Sequence, residues 1–439
     1  MRKIISLIKK FIPKPAYGLY HFSLAFLGAL IYGFPSRKMK VIGVIGTKGK
    51  TTTANLIAQI LNKTGHKAGM ATTVNFRIGD KEWINETKQT MLGRFKLQKL
   101  LRQMAKENCE YAIVETSSEG ILQFRHRFID YDAAVFTNIT PEHLERHGGF
   151  ENYRRAKVKL FEKVAEKPDG IGIYNLDDPN VEYFLKPGVK NKYGYGKKIP
   201  NNKFQIPNNF QISNIKLFPD KSGFDFNSEH FKTKLIGEFN IYNAAATITL
   251  ALSQNIPVAD IKKAIAEAVP PPGRMEIIKS NSGFSVVVDY AHEPASLEAI
   301  YKTLTSSNLR AQGSKLICLL GAQGGGRDKW KRSAMGKIAG EYCDEIILTN
   351  EDPYDENPLQ IITDVEGGFS QIPNNKFQIT KNYWKVIDRK EAIKKALSLA
   401  QKDDVVVLTG KGGEVWMCVE NGRKIPWDEK RIVENLLKD

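Results

Sequence analysis

The stretch that most constrains the fold is VIGVIGTKGKTTTANLIAQIL, from Val41 to Leu61. A β-branched apolar run passes through a glycine turn into TTTANLIAQILNKTG, a helical pattern that stops at Gly65. Strand, glycine turn and helix in that order aim backbone N–H groups and a helix N-terminus at one point, where an anion is favoured. A plain strand-to-helix turn leaves a lysine at the helix start, Lys50, unexplained. A phosphate accounts for it: Gly46, Thr47 and Gly49 form the cradle, Lys50, Thr51 and Thr52 open the helix, and Thr51 is placed to ligate magnesium. The spacing still departs from the strict phosphate-loop pattern, because the position five before Gly49 is Val44 and not glycine.

Beyond Lys40 the same alternation continues. KLQKLLRQMAKEN reads as a helix, EYAIVETSS and YDAAVFTNIT as strands, FENYRRAKVKLFEKVAEKPDG as a long helix and GIGIYNLDD as a strand. Strands alternating with helices imply an α/β fold with a mostly parallel sheet covered on both faces. AVPPPGRME, Ala268–Glu276, interrupts the order with a stiff linker, and a domain boundary is placed there. FSVVVDYAH, SKLICLLGAQGGG, DEIILTNEDP and DDVVVLTGKGGE then read as strand ends running into loops, a second open α/β sheet whose ligands gather beyond its strand ends. The expected organisation is therefore a helical segment over 1–39, a central P-loop-type ATPase domain over 40–270, and a Rossmann-like domain over 271–439. The octapeptide IPNNKFQI occurs at 199–206 and again at 372–379, which suggests inserted surface loops.

The formal charge of +17 favours anionic partners such as nucleotides, phosphorylated carriers or anionic lipid. Nucleic acid is disfavoured, since neither an aromatic RNA-binding signature nor zinc-finger spacing occurs. The four cysteines, Cys109, Cys318, Cys343 and Cys418, show no metal-ligand spacing and suggest no disulfide framework, which fits a reducing, cytoplasmic setting. MRKIISLIKKFIPKP is basic and partly amphipathic, and AYGLYHFSLAFLGALIYGF follows it. No small-residue cleavage site marks a signal peptide. The apolar stretch is short for a span, and a packed helix or an interfacial helix at the inner face of a membrane suits it better.

Two further stretches carry chemistry. IVETSSEG ends a strand at Glu115, whose carboxylate suits Mg²⁺. TNITPEHLERHGGFENYRRAKVKLF offers His143 and Lys157. Taken with the opening loop, these stretches resemble the Mur ligase family of ATP-dependent peptide ligases, and within it the branch that adds the third residue of the peptidoglycan stem peptide. GEFNIYNAAA, PPGRME, DYAHEP, GGRDKWKR, TNEDPYDENP and GKGGE continue the resemblance in order to the C-terminus. The glycine spacing is then that family's own loop variant.

The resemblance implies ATP and two Mg²⁺ as the working set. Lys50 and Thr51 would bind the phosphates and metal, and Glu115 and His143 would hold the metals. Lys157 matches the lysine the family carries as a carbamate, an anion able to orient Mg²⁺. Asn243, Arg274 and Asp289 fall where the family contacts nucleotide, while the role of His292 stays open. Arg327 would take the α-carboxylate of the incoming amino acid, with Gly410 and Glu414 lining its site. The implied chemistry is phosphorylation of a carboxylate to an acyl phosphate, then attack by an amine. The partners would be a small amino acid and a nucleotide- or lipid-linked acceptor.

The match departs from the family at four places. Only about 40 residues precede the first strand, too few for an ordinary acceptor-binding domain. Glu119 and Gly413 stand where histidine is usual. The motif Asp-Asn-Pro-Arg, whose arginine grips the distal carboxylate of diaminopimelate, reads Glu351-Asp352-Pro353-Tyr354. Without that guanidinium, Glu351 and Asp352 suit a distal ammonium, and L-lysine or another diamine is the expected substrate. Competing readings are a folylpolyglutamate-synthase-like ligase, a ligase acting on lipid-linked precursors, and, in another class, a P-loop NTPase or a non-catalytic binding subunit.

Overall fold

The computed structural model describes residues 14–142, 144–199, 206–218, 220–306, 311, 313–372 and 382–438. His143 and the interiors of both IPNNKFQI copies lie outside them. The chain forms two compact units. The first is built mainly from the chain up to Glu142 with Arg146–Ile212 and Asn243–Ala264, the second mainly from Ser213–Tyr242 and from Ile265 onward.

The chain begins with α1 (Lys14–Ile31), a 3₁₀ turn (Pro35–Lys38), β1 (Lys40–Ile45) and α2 (Lys50–Lys63). Next come β2 (Ala68–Ala71), β3 (Asn75–Ile78), β4 (Lys81–Ile84), α3 (Arg94–Lys106), β5 (Tyr111–Glu115), α4 (Ser118–Leu122) and β6 (Tyr131–Phe136). α5 (Leu144–His147), α6 (Phe150–Ala165), β7 (Ile171–Asn175), α7 (Val181–Leu185), β8 (Asn191–Gly196) and β9 (Asn208–Leu217) complete this part. In the first unit the strand order is β9-β8-β7-β6-β1-β5-β2-β3-β4. Pairing is parallel from β9 to β2, and β3 and β4 fold back antiparallel at the edge. β1 is apolar almost throughout because helices cover both of its faces. α3 buries Leu97, Leu100, Leu101 and Met104, one stripe of an amphipathic helix. Register sets Glu115 beside Val44 and Phe136 beside Ile45, so the carboxyl ends of β5, β1 and β6 finish together. That is where an open α/β sheet holds ligand.

In the second unit β10 (Ser222–Phe226) and β11 (Glu229–Thr233) form an antiparallel hairpin. α8 (Glu238–Ser253) and α9 (Val258–Glu267) follow in the chain, and the proline run 270–272 lies just inside the second unit. Then come β12 (Glu276–Lys279), β13 (Ser285–Val288), α10 (Pro294–Ser306), β14 (Leu316–Leu320), α11 (Trp330–Tyr342) and β15 (Glu345–Thr349). The chain ends through α12 (Pro358–Glu366), β16 (Asn382–Val386), α13 (Arg389–Leu399), β17 (Val405–Leu408), the hairpin β18 (Trp416–Cys418) and β19 (Lys424–Pro426), and α14 (Glu429–Leu436).

The sheet order is β12-β13-β17-β14-β15-β16, parallel except for β12. Alternate residues of each strand feed two cores. Val287, Val407, Cys318 and Leu320 pack with Leu297, Leu304, Met335 and Ile362 on one face. Val286, Val406, Ile317 and Leu319 pack with Ala392, Ile393 and Val433 on the other. This period-two division is what a sheet covered on both faces requires. The fold is thus the α/β class expected, a P-loop-type sheet followed by a Rossmann-like one.

One expectation fails. Cys318 in β14 and Cys343 after α11 form a disulfide, with Cα atoms 6.0 Å apart and both residues buried. The spacing of 25 residues resembles no framework, because the return of α11 to the sheet creates this pair. Cys109 and Cys418 are free and buried. Among the described residues, no helix is long and apolar enough to cross a membrane.

Candidate active site

The phosphate loop is clamped by its own strand neighbours. Gly49 caps α2 at φ 79°, and a Cβ there would run into the Asn243 amide. At Gly46 a Cβ would run into the Thr137 hydroxyl, so glycine is required at both positions. The Thr47 N–H donates to the Asn138 carbonyl at 2.8 Å and the Lys48 N–H to Asn138 Oδ1 at 2.9 Å. Thr137 Oγ1 donates to the Lys48 carbonyl at 2.7 Å, and Thr47 Oγ1 lies 3.0 Å from the Tyr153 hydroxyl. Lys50 Nζ folds back onto the Thr47 carbonyl at 2.8 Å. Thr52 is buried in the first turn of α2.

Thr51 and Glu115 meet as the sequence suggested. Thr51 Oγ1 is 3.0 Å from both oxygens of the Glu115 carboxylate. That carboxylate also accepts from the Thr73 N–H at 2.8 Å and the Thr73 hydroxyl at 3.0 Å. Asn243, remote in sequence, arrives on α8 beside Gly49 and accepts from Thr53 Oγ1 at 3.3 Å. Lys157 points in from α6. It is almost wholly buried, its Nζ donates to the Gly46 carbonyl at 2.5 Å and lies 4.5 Å from the centre of the Tyr153 ring. Burial, and then the Lys50 cation, hold its pKa well below the ordinary lysine value. Tyr153, Asn138, Thr137 and Thr73 carry no sequence signal of their own. Each acts through hydrogen bonds at a strand end or helix face, and no local motif marks such contacts. Glu119, one of the departures, forms an ion pair with Arg146.

The second unit carries the remaining candidates. Arg274 lies 4.1 Å over the Tyr290 ring, and the Tyr290 hydroxyl donates to Glu414 Oε1 at 3.3 Å. Buried Asp289 accepts from the N–H groups of Met275 and Ala291 at 2.7 Å each, and its burial raises its pKa. His292 Nδ1 lies 2.8 Å from the Tyr290 carbonyl. Arg327 lies 4.7 Å over the Tyr354 ring, and its Nη2 donates to the Tyr354 hydroxyl at 3.2 Å.

Glu351 and Asp352 have opposite surroundings. Asp352 is paired with buried Lys411 at 2.9 Å and also accepts from the Cys418 N–H at 2.8 Å. Lys411 further donates to Glu414 Oε2 and to the Trp416 carbonyl, each at 2.7 Å. Glu351 is fully buried with both carboxylate oxygens unpartnered. Burial, then the Asp352 charge, push its pKa up to about 7. Gly410, at φ 106°, lies against Glu351 so closely that a Cβ would stand 2.6 Å from Oε2. Gly413, the other departure, is explained by backbone packing. A Cβ there would stand 2.6 Å from the Pro272 carbonyl, which leaves no space for a histidine.

A phosphate loop closed on a threonine–carboxylate pair, followed by a Rossmann-like unit lined with charges, defines a nucleotide-using α/β enzyme. Residues 44–251 match the Mur ligase middle domain and residues 273–412 match the Mur ligase, glutamate ligase domain. The UDP-N-acetylmuramoyl-L-alanyl-D-glutamate–2,6-diaminopimelate ligase of Syntrophomonas wolfei is 35% identical, over 95% of this chain and 82% of that protein. The UDP-N-acetylmuramyl-tripeptide synthetase of a Roseiflexus species is 33% identical, over 93% and 80%. In fold, the chain is similar to the folylpolyglutamate synthase of Mycobacterium tuberculosis solved with ADP, at TM-score 0.70 and 16% identity over 93% and 95% of the two chains. The chain belongs to the Mur ligase family, and it is an ATP-dependent ligase of the acid–amino-acid type.

Proposed function

We propose that the enzyme joins an amino acid bearing a distal ammonium, such as L-lysine, to the terminal carboxylate of a UDP-linked muramoyl dipeptide. The observation that carries the amino-acid reading is Glu351. Among the described residues it is the buried carboxylate with both oxygens unpartnered, and a buried charge without a partner is costly. A substrate ammonium removes that cost. Asp352 does not serve the substrate in this reading, because Lys411 and the Cys418 N–H already engage it. Arg327, held by Tyr354, is left for the α-carboxylate, and Gly410 and Glu414 line the site beside them.

The first unit supplies phosphoryl transfer. Lys50 and the loop N–H groups hold the ATP phosphates, and Asn243 braces the loop. The Thr51 hydroxyl and Glu115 carboxylate, 3.0 Å apart, are a hard-oxygen donor set that fits Mg²⁺. His143, outside the described residues, would complete it by family likeness. Bound magnesium would neutralise charge on the transferring phosphoryl group. Arg274 and Asp289 are assigned to the nucleotide.

Lys157 is buried beside Lys50, which favours its neutral amine. A neutral amine is the form that adds carbon dioxide, and the resulting carbamate is an anion that answers the nearby lysines. The acceptor carboxylate oxygen attacks the γ-phosphorus and ADP leaves. The amine nitrogen then attacks the acyl carbon, phosphate leaves, and the nitrogen loses a proton to give the amide.

The test is product mass analysis with ATP, a UDP-linked or a lipid-linked acceptor, and a panel of lysine, ornithine and diaminopimelate. Lysine or ornithine joined to the UDP-linked dipeptide is expected. Preferred use of diaminopimelate sinks the amino-acid reading, and exclusive use of the lipid-linked acceptor sinks the acceptor reading.

A further inference from the structure

Helix α1 is turned inside out relative to an ordinary surface helix. Its buried stripe is small or polar: His21, Ala25, Gly28 and Ala29. Gly28 lets the helix approach the backbone of Arg94 at the start of α3. Phe22 and Phe26 pack edge-on against Phe128 at the flank of the helix, and most of the other large apolar side chains face away from the protein. Leu19 and Ile31 are each 66% exposed, and Tyr20, Phe26, Leu27 and Leu30 are exposed as well. No charged residue occurs between Lys14 and Arg37. A contiguous apolar face of this kind marks a surface that meets something apolar.

Its border identifies what that is. Helix α3, packed along α1, carries Lys96, Lys99, Arg102 and Lys106 and no acidic residue, while its Arg94 turns inward to His21 and the Gln123 carbonyl. A groove of about 420 Å³ where the two helices meet is lined by Leu30 and Ile31 together with Lys99, Arg102 and Lys106. Arg37 and Lys38 follow at the end of the helix. An apolar ridge edged by cations matches a bilayer whose headgroups are anionic. Two other occupants fit less well. Residues 1–13 contain Arg2, Lys3, Lys9 and Lys10 and no acid, and a second copy of the chain carries the same +17 charge. Either would set cations against cations.

We propose that the outer face of α1, with the basic edge of α3, docks the enzyme on an anionic phospholipid surface. The contact is interfacial, since α1 lies along the protein and no described helix can span. The inference does not depend on the amino-acid or acceptor reading above.

The test uses the full-length protein with Leu27→Cys labelled by an environment-sensitive dye. Vesicles of phosphatidylglycerol mixed with phosphatidylcholine should shift its emission to the blue, and pure phosphatidylcholine should not. Binding should fall at least about tenfold at roughly 1 M salt, where the Debye length shrinks to about 3 Å. It should fall similarly in a Leu19→Ser, Leu30→Ser, Ile31→Ser variant that keeps full ligase turnover. No shift with anionic vesicles overturns the proposal. So does a shift already present without vesicles: if constant with dilution it points to residues 1–13 as the cover, and if it grows with protein concentration it points to a second copy. Unchanged binding by the triple-serine variant also overturns it.

Discussion

The phosphate loop of the first unit and the charged cluster of the second solve opposite problems. In the loop, recognition is mostly backbone. Glycines at 46 and 49 let strand ends close in, and Thr137 and Asn138 satisfy what the turn exposes. In the second unit the proposed recognition rests on buried side-chain charges, whose pairing leaves one of them, Glu351, without a hydrogen-bond partner. A loop built on backbone is tolerant of its ligand's remainder and strict about its own shape. A site built on an unmatched charge is strict about its ligand. The contrast accounts for one chain binding a nucleotide common to a whole family while departing from it in the amino-acid motif.

The largest effect is expected where the charged cluster is braced. Arg389 and Glu429 are both fully buried and pair at 2.5 Å, and Arg389 also donates to the carbonyls of Asn350 and Thr409, next to Glu351 and Gly410. Glu429→Ala leaves a buried guanidinium uncompensated and should cost about 3–5 kcal/mol of stability. Denaturant unfolding measures it, and a loss below about 1 kcal/mol would show that the brace is dispensable. Lys157→Ala tests the first unit. Turnover should drop by at least about a hundredfold, the scale of one well-placed electrostatic group, with partial return when a small carboxylate is supplied. Full activity in the variant removes the carbamate from the account.

Glu351→Gln separates the two regions by pH. Between 4.5 and about 7 the folded protein keeps a proton on Glu351 that the unfolded chain has released. The native state binds more protons in that window, so this group lowers stability as pH rises through it. Above about pH 8 the penalty is complete, on the order of 3 kcal/mol. The glutamine variant should therefore be more stable than the parent at high pH by up to that amount, the gap closing near pH 4.5. Its KM for a diamine should rise at the same time. Parallel stability curves for the two proteins would mean that Glu351 is not an unmatched charge.

What was legible in sequence follows the same division. The loop is a run of consecutive residues whose strand, turn and helix are each locally encoded, so Lys50 and Thr51 are legible there, and Thr51 meets Glu115 at the end of the neighbouring strand. The apolar strands of the second sheet, such as VVVL in β17, were equally plain. The edge strands β2 to β4 and the hairpin β10–β11 are only four or five residues each and carry little periodicity. In the charged cluster, adjacency in sequence misled. Glu351 and Asp352 looked like an equivalent pair, yet Lys411, 59 positions on, engages only one of them. The Cys318–Cys343 disulfide was hidden in the same way, by a contact that exists only once α11 has packed on β14.

The smallest effect should come from Tyr354, the residue that replaces the family's arginine. Its ring carries the Arg327 guanidinium at 4.7 Å and its hydroxyl accepts one of the guanidinium N–H groups at 3.2 Å. Tyr354→Phe keeps the stacking and removes a single hydrogen bond, worth about 1 kcal/mol. If Arg327 holds the α-carboxylate, the KM for the amino acid should rise about fivefold with kcat nearly unchanged, because the lost contact orients a binding group and no reacting atom. A fall in kcat at constant KM would instead tie Tyr354 to the reacting centre. An unchanged KM would leave the positioning of Arg327 to the ring alone, and the second unit would then owe its selectivity to Glu351.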